Sequence, residues 1–420
     1  MSAPTTTAVP PARVAATETP TVGSHARDYL ARVGGGDMGA VPAVLGLIVL
    51  CAVFSILRPN FLTAGNFANL FTQGAAVTLI AMGLVFVLLL GEIDLSAGFA
   101  SGVCAAVLAQ LVTLQGYPWY VAAAAAIATG VVIGLVIGLL VAKIGIPSFV
   151  VTLAAFLAFQ GIVLLLIKGG TNVSIRDDVL VAIANRNLPP WLGWTLTLLG
   201  VVGYAAVQML RYRTRTARGL VTEPVAVVLA RIAWLALIVG TAVYVLNVER
   251  SRNLLVSLKG VPIVVPIIAI LLIVWTFVLQ RTAYGRHVYA VGGNREAALR
   301  AGINVDRIRI SVFVICSSMA AIGGIVAASR AASVDANTGG SKVLLYAVGA
   351  AVIGGTSLFG GKGRIVDAVL GGAVIAVIDN GMGLLGRSSG FTFVVTGLVL
   401  LLAASVDALS RRRAAATGNR

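Results

Sequence analysis

Charged residues are scarce in this sequence, and their scarcity decides its class. Only 11% of the 420 residues are charged, whereas a soluble domain carries about a quarter. Hydrophobic residues make up 59% of the chain, and the mean hydropathy is +0.99. A chain of this composition is predicted to be an integral membrane protein, and a soluble globular domain is excluded.

Cysteine and histidine are also scarce, which argues against two kinds of chemistry. The three cysteines, Cys51, Cys104 and Cys316, lie inside apolar segments and show neither a disulfide framework nor a zinc spacing. The two histidines, His25 and His287, have no metal-ligand partner near them in the sequence. No nucleophile and base are clustered either. We therefore expect no catalytic residue, metal site or cofactor, and a protein that is not an enzyme.

Acidic residues are the scarcer charge. There are 15 Asp and Glu against 31 Lys and Arg, which gives a net charge of +16. Such a charge is common in proteins that bind nucleic acid. Here, however, the arginine clusters fall between long apolar segments, where they set membrane topology. We therefore expect membrane lipid around the chain and no nucleic-acid partner.

Long apolar segments occupy most of the sequence. A spanning helix needs about 20 apolar residues, with a range of roughly 17–25. On that measure we predict spans near residues 41–57, 66–90, 97–115, 119–142, 147–167, 193–210, 225–246, 262–280, 308–329, 343–359, 365–385 and 391–408. The predicted fold class is all-α, a polytopic transmembrane helical bundle of about twelve spans within residues 41–410. The segment near 343–359 is short and rich in glycine.

The distribution of basic residues predicts the orientation of the bundle. With a cytoplasmic N-terminus, every even-numbered span returns the chain to the cytoplasm, and those returns carry most of the Lys and Arg. The positive-inside rule therefore predicts a multi-pass cell-membrane protein with both termini in the cytoplasm. Residues 1–40 are rich in Thr, Pro, Ala and Gly and are predicted to form a disordered tail. Residues 411–420 are predicted to form a basic cytoplasmic tail.

A polar stretch between two predicted spans, residues 289–303 (YAVGGNREAALRAGI), has the pattern of a short helix. The residues from Arg295 to Arg300 are strong helix formers, Asn294 stands at the N-cap position, and Gly302 is a stop signal. The predicted cytoplasmic loop 281–307 would thus present a helix to another protein. An ordinary loop made basic by the positive-inside rule is the alternative.

Polar residues at membrane depth are the candidates for a translocation path or gate. The first group is Glu92, Asp94 and Ser96, between the second and third spans. Asp94 can cap the following helix, whereas Glu92 has no evident capping role and is predicted to be functional or ion-paired. The second group, Asp379 and Asn380, lies inside the predicted span 365–385, where the two side chains either pair with neighbouring helices or line a polar path.

A glycine-rich stretch, residues 354–364 (GGTSLFGGKGR), resembles a phosphate-binding loop in part. That motif needs Ser or Thr after Gly-Lys, but Gly363 follows Lys362. We therefore predict no nucleotide site in this chain. At a constant offset, residues 91, 95, 98 and 105 match residues 354, 358, 361 and 368, which indicates either an internal duplication of a broken-helix unit or chance.

Three stretches in this order, residues 91–98 (GEIDLSAG), 289–303 and 354–364, make the chain resemble a known family over about residues 41–410. The family is that of the membrane permeases of ribose- and xylose-type ABC sugar importers, which is related to the branched-chain amino acid permeases. The resemblance implies a fold like that of a type II ABC importer. It also implies a permease dimer with a central path, ATPase subunits on the cytoplasmic face and a sugar-binding protein outside. ATP hydrolysis would then occur in a separate subunit.

The resemblance also assigns a role to the polar stretch 289–303. In the family, the aligned loop contains the coupling helix, which sits in a cleft of the ATPase. The residues expected to couple transport to the ATPase are Gly292, Gly293, Asn294, Arg295, Glu296, Arg300 and Gly302. Among them, Arg295, Glu296 and Arg300 are expected to face the ATPase.

The substrate expected from the resemblance is a monosaccharide. The chain carries about two extra spans near residues 193–280, as longer, xylose-type members do, which favours a pentose and xylose first. Branched-chain amino acids or nucleosides are the alternative cargo for the same machinery. An ion-coupled secondary transporter is the alternative mechanism, although the sequence shows no conspicuous chain of intramembrane charges.

Overall fold

The computed structural model describes residues 40–168, 171–220, 222–251 and 257–416. The tail predicted for residues 1–40 lies outside this part, apart from residue 40. Within the described ranges the chain is almost entirely helical, and its two strands, β1 (Asn172–Ser174) and β2 (Ser333–Asp335), form one short antiparallel pair.

Five helices make up the first part of the chain. They are α1 (Val41–Leu57), α2 (Ala64–Leu89), α3 (Ala97–Ala109), α4 (Trp119–Leu139) and α5 (Ser148–Leu166). Single π-helical turns, Gln110–Leu114 and Leu140–Ile144, extend α3 and α4. Proline at or beside the first position helps to start α1, α4 and α5, because its fixed φ suits a helix N-terminus.

The middle of the chain follows β1. It contains α6 (Asp178–Asn185), α7 (Pro190–Ala217), α8 (Val225–Asn247), α9 (Val264–Arg281), α10 (Ala283–Gly293) and α11 (Arg295–Arg300). The last part contains α12 (Val305–Ala331), then β2, α13 (Ser341–Gly354), α14 (Ile365–Leu384) and α15 (Ser389–Ala416).

The helices confirm the predicted all-α transmembrane class. In the described ranges, ten helices are long and apolar enough to cross a membrane. Two further apolar helices, α1 and α13, are shorter, with 17 and 14 residues. Together they correspond to the twelve predicted spans. The span predicted near 343–359 is shorter in the structure because Gly355 adopts a φ of +119° and ends the helix.

The bundle has two distinct ends. We call the end that carries α10 and α11 the near end, and the opposite end, which carries β1, β2 and α6, the far end. Both outer ends of the described chain lie at the near end, since Pro42, Gly355 and Val406 line one shallow cavity there. The far end is held together by the strand pair and by α6. In α6 the Asn185 Nδ2 donates to the backbone carbonyl oxygen of Ser329 at 2.6 Å.

Two four-helix units, α2–α5 and α12–α15, form the core and run in opposite directions. In the first unit, the non-helical segment 90–96 enters from the near end and leads into α3. In the second, residues 332–340 enter from the far end and lead into α13. The first turns of α3 and α13 meet inside the bundle, where Gly98 packs against Gly339 and Leu344. This is the arrangement of an inverted repeat. This repeat pairs the segment 90–96 with the segment 332–340. The sequence match had instead paired residues 91–105 with residues 354–368.

The helices α7 and α8 form a hairpin at the edge of the core. Few of their residues are buried. The hairpin contacts the core at the far end, where Val243 and Leu246 pack with Ala68 of α2. This peripheral hairpin contains two of the three spans predicted within residues 193–280.

Candidate coupling and translocation sites

The short helix predicted over residues 295–300 is present as α11 at the near end. The Asn294 Oδ1 accepts a hydrogen bond from the Ala297 amide at 2.9 Å, which is the predicted N-cap. At the other end, Gly302 adopts a φ of +79°, so the predicted stop signal is a residue in the left-handed region. Local sequence therefore determines both ends of this helix.

The outer face of α11 is exposed in the described chain. Ala298 is buried against the bundle, while Arg295, Glu296, Leu299 and Arg300 are exposed. Among the described residues, none of its three charged side chains makes an ion pair. The helix thus presents three charged groups and one leucine to its surroundings.

The three stretches that carried the resemblance meet directly behind α11. The Gly361 amide, from 354–364, donates to the Leu89 carbonyl at 2.8 Å, just before 91–98. Gly292 packs against the same carbonyl, and a Cβ atom there would lie 1.8 Å from the oxygen. A Cβ atom added to Gly293, one residue further on, would meet no other atom within 4 Å. Only the first of these two glycines is required by packing.

A tyrosine side chain ties α10 to the glycine-rich loop. The Tyr289 hydroxyl donates to the Gly363 oxygen at 2.7 Å. Burial raises the pKa of the Tyr289 phenol above its ordinary value, and the nearby Asp367 raises it further, so the group stays protonated and remains a donor. The short helices α10 and α11 are therefore anchored to the end of α2 and to the glycine-rich loop.

Glu92 is ion-paired at the near end. Its Oε1 accepts from the Arg309 Nε at 2.8 Å and from Nη2 at 2.5 Å. The Nη1 of Arg309 donates to the Val141 carbonyl at 3.1 Å, at the end of α4. The two side chains are only 17% and 8% exposed. Arg309, one turn into α12, thus ties the segment 90–96 and the end of α4 to the start of α12.

Asp94 and Ser96 lie deeper in the bundle and hold the start of α3. The Asp94 Oδ1 accepts from the Ser96 amide at 2.9 Å and from its hydroxyl at 2.6 Å. Both residues are fully or almost fully buried. The N-cap residue of α3 is Ser96, without a side-chain capping bond, so Asp94 forms a turn just before the helix and not the predicted cap. The Asp94 Oδ2 has no hydrogen-bond partner in the described chain.

Asp379 lies at the far end, away from the other acidic candidates. Its Oδ1 contacts the Lys342 Nζ at 3.0 Å and accepts from the Tyr346 hydroxyl at 3.1 Å. The three residues line a cavity of about 630 Å³ between α2, α6, α12, α13 and α14. Its other polar lining residues are Asn69, Thr72, Gln73, Asn185 and Arg330.

Asn380, the neighbour of Asp379, faces another helix. Its side-chain amide exchanges two hydrogen bonds with Asn66, at 2.8 and 2.9 Å, and also donates to the Gln73 oxygen at 3.3 Å. Asn66 and Asn380 are both buried. Of the two alternatives given for these residues, Asn380 pairs with a neighbouring helix, whereas Asp379 lines a polar cavity.

The sequence did not single out Arg309, Lys342 or Tyr346. Arg309 and Lys342 lie at the ends of predicted spans, Tyr346 lies inside one, and the partner of each is distant in the chain. Glu92 and Arg309 are 217 residues apart, and Lys342 and Asp379 are 37 apart. For Arg309 the available signal was a charge inside the predicted span 308–329, because such charges need a partner. In the described chain, no group of three His, Cys, Asp or Glu side chains is placed to hold a metal ion.

Comparison with known proteins identifies the family. The model of the family described as "Branched-chain amino acid transport system / permease component" matches residues 66–221 and 179–404. The xylose transport system permease protein XylH of Escherichia coli K12 is 37% identical over 353 residues, which are 84% of this chain and 87% of the relative. XylH of Haemophilus influenzae is 34% identical over 371 residues, which are 88% and 96% of the two chains.

A more distant relative is named for a different sugar, ribose. The ribose import permease protein RbsC of Escherichia coli K12 is 31% identical over 366 residues, which are 87% of this chain and 92% of the relative. No solved structure matches the chain. The family match and these relatives cover most of the bundle, including both ends. The chain therefore belongs to this family of transport permeases and is a multi-pass membrane permease component, not an enzyme.

Proposed function

We propose that the chain is the permease subunit of an ABC importer for a pentose, with xylose as the first candidate. The two xylose permeases are 37% and 34% identical to it, against 31% for the ribose permease. The peripheral α7–α8 hairpin supports the same choice, because the extra spans were expected of the longer, xylose-type members.

The observation that carries the proposal is the junction behind α11. An exposed helix is fixed through Gly292 to the backbone of Leu89, and through α12 to the Glu92–Arg309 pair. Because these contacts are backbone packing and a buried ion pair, a push on α11 moves the core helices as a rigid body. A rigid connection of this kind would allow an ATPase bound to α11 to move the core helices.

The arrangement of the ends supports an orientation and a set of partners. The near end faces the cytoplasm in our proposal, because α7 ends there in Arg211, Arg213 and Arg215. Both termini are then cytoplasmic, and the ATPase binds the exposed face of α11. A sugar-binding protein docks at the far end. A second copy of the chain completes the path, and lipid surrounds the exposed apolar helices.

The candidate path residues fall on one route through the bundle. We place Asp379 at the far-end entrance, with Asn380 supporting the wall through Asn66. Glu92, Asp94 and Ser96 lie toward the near end, in the segment 90–96. In this proposal they form the near-end gate, since this segment lies between the deep half of α3 and the coupling junction.

Substitutions on α11 test the coupling role. We expect Glu296→Lys or Arg300→Glu to lower sugar uptake at least tenfold while membrane insertion stays normal, because a reversed charge opposes docking. Glu223→Lys is the matched control, since Glu223 is an acidic residue of the near end on the peripheral hairpin. The measurement is uptake normalised to the amount of permease in the membrane. Normal uptake by both α11 variants would contradict the coupling assignment.

A second candidate cargo comes from the family itself, whose description names branched-chain amino acids. Uptake of labelled xylose, ribose, galactose and leucine, in cells with and without the gene, separates the two. We expect a selective loss of xylose uptake that responds to ATP depletion but not to an uncoupler at fixed ATP. Loss of leucine uptake alone would assign the chain to the amino acid branch. Sensitivity to the uncoupler at fixed ATP would indicate a secondary transporter.

A further inference from the structure

The far-end cavity combines a large volume with polar walls in an apolar bundle. Its volume of about 630 Å³ lies within the range of about 300–1,000 Å³ that small-molecule sites occupy. Eight of its lining residues are polar or charged, or carry a phenol. Polar groups inside a membrane protein face protein, water or a ligand, because lipid does not satisfy them.

The charges in this cavity are accessible. The side chains of Lys342 and Asp379 are 49% and 37% exposed, although their atoms are 3.0 Å apart. Arg330 lines the same cavity from α12. A pair that served only to hold helices together would be expected to be buried, as Glu92 and Arg309 are. The exposure of this pair leaves its hydrogen-bonding groups within reach of a solute.

Tyr346 orients the Asp379 carboxylate through a hydrogen bond. It is 5% exposed, and its hydroxyl donates to the Asp379 Oδ1. The Lys342 Nζ lies 5.1 Å from the centre of the Tyr346 ring and 5.9 Å from that of Phe393. Both described contacts of the Asp379 carboxylate end on Oδ1, so Oδ2 remains able to accept from a ligand hydroxyl.

We propose that this cavity is a binding site for a neutral monosaccharide, in which Asp379 and Lys342 contact sugar hydroxyls. The inference rests on the proposed function, since it takes the cargo to be a pentose. A carboxylate accepts from hydroxyls and an ammonium donates to them, and the pair adds no net charge. The amides of Asn69, Gln73 and Asn185 supply further donors and acceptors around the same space. The far-end cavity then selects the sugar after the binding protein has released it.

Cysteine protection tests the site on the full-length permease alone. In Thr72→Cys, a small water-soluble thiol reagent should label the cavity wall, and millimolar xylose should slow that labelling severalfold. Val179→Cys is the matched control, because Val179 is exposed at the far end on α6 but does not line the cavity. The wild-type chain gives the background from Cys51, Cys104 and Cys316. Asp379→Asn or Lys342→Gln, added to Thr72→Cys, should remove the protection.

Transport by the complete importer provides the second measurement. With saturating sugar-loaded binding protein, Asp379→Asn should lower the sugar moved per ATP by about tenfold or more, because a hydrogen bond to a charged group is lost. It should also change the preference between xylose and ribose. Asp178→Asn is the control, because it breaks another far-end ion pair, with Arg186, outside the cavity.

The outcomes separate this inference from the proposed function. If xylose uptake requires the chain, but xylose leaves the labelling of Thr72→Cys unchanged and Asp379→Asn transports normally, the site is wrong and the function stands. If an acidic sugar protects and xylose does not, the cavity binds anions through Arg330 and Lys342, and the neutral-sugar site is wrong. If no pentose uptake depends on the chain, the proposed function fails, and the inference fails with it.

Discussion

Two ion pairs of the described chain, one at each end of the bundle, differ in burial. At the near end, the Glu92 and Arg309 side chains are 17% and 8% exposed, and Arg309 also bonds the Val141 carbonyl. At the far end, the Lys342 and Asp379 side chains are 49% and 37% exposed and border a cavity. The same chemistry thus occurs in a packed junction and in an open space.

The difference in burial predicts a difference in role. A buried pair is stabilising only as a unit, because removing one partner leaves an uncompensated charge in a medium of low dielectric constant. An accessible pair contributes little to stability, since water screens it. We therefore expect the near-end pair to transmit movement between helices and the far-end pair to be available to a ligand. Four experiments, from the largest expected effect to the smallest, test the junction and this division.

Gly292→Ala should have the largest effect. Its Cβ would lie 1.8 Å from the Leu89 oxygen, so the backbone of the junction must move. We expect a loss of stability of at least about 3 kcal/mol, the upper part of the range for overpacking, together with loss of uptake. Gly293→Ala is the matched control, because its Cβ meets nothing within 4 Å. Thermal unfolding of the detergent-solubilised protein measures both, and equal stability of the two variants would contradict the packing argument.

Arg309→Met should have the next largest effect. It leaves the Glu92 carboxylate buried without a partner, which costs about 3–5 kcal/mol. Lys342→Met breaks the far-end pair and should cost less than about 1 kcal/mol. The double variant Glu92→Gln, Arg309→Met should recover much of the loss, because no charge is left unpaired. If Arg309→Met and Lys342→Met shift the unfolding temperature equally, burial does not distinguish the two pairs.

The sequence predicted the parts of the fold that depend on local pattern. Apolar runs placed the twelve helices, and the residues between Asn294 and Gly302 predicted α11 with both of its ends. The short α13 was predicted too long, since the apolar run continues past Gly355 while the backbone turns at a φ of +119°. Hydropathy gives the length of an apolar segment, but it does not show where the backbone leaves the helix.

The sequence could not predict which distant residues meet. Glu92 was recognised as an acid in need of a partner, but the choice of Arg309 depends on the packing of α12 beside the segment 90–96. For the same reason, Asp379 and Asn380 were left as one pair of candidates. They point to different neighbours, because adjacent helix residues are about 100° apart around the axis. Tertiary packing decided that one lines a cavity and the other pairs with Asn66.

Asn380→Ala and Asp379→Ala sharpen the comparison at adjacent positions. Loss of the Asn380 amide leaves the buried Asn66 side chain without its reciprocal partner, so we expect about 1–3 kcal/mol of destabilisation. Asp379→Ala leaves a half-exposed lysine, which water can solvate, and should change stability little while lowering transport. Unfolding temperature and uptake are measured for both variants. A larger stability loss for Asp379→Ala would mean that the far-end pair is structural.

Lys143→Ala should have the smallest effect, although it breaks an ion pair beside Arg309. The Lys143 Nζ lies 2.9 Å from the Asp306 Oδ2, and it joins the end of α4 to the start of α12, as Arg309 does. The difference is exposure, since these side chains are 57% and 36% exposed. Water and salt screen such a pair, so we expect about 0–1 kcal/mol, decreasing further in high salt. Comparing unfolding temperatures of Lys143→Ala and Arg309→Met holds the joined helices constant and varies burial. A Lys143→Ala effect as large as that of Arg309→Met would show that the contact between α4 and α12, rather than the buried charge, stabilises the junction.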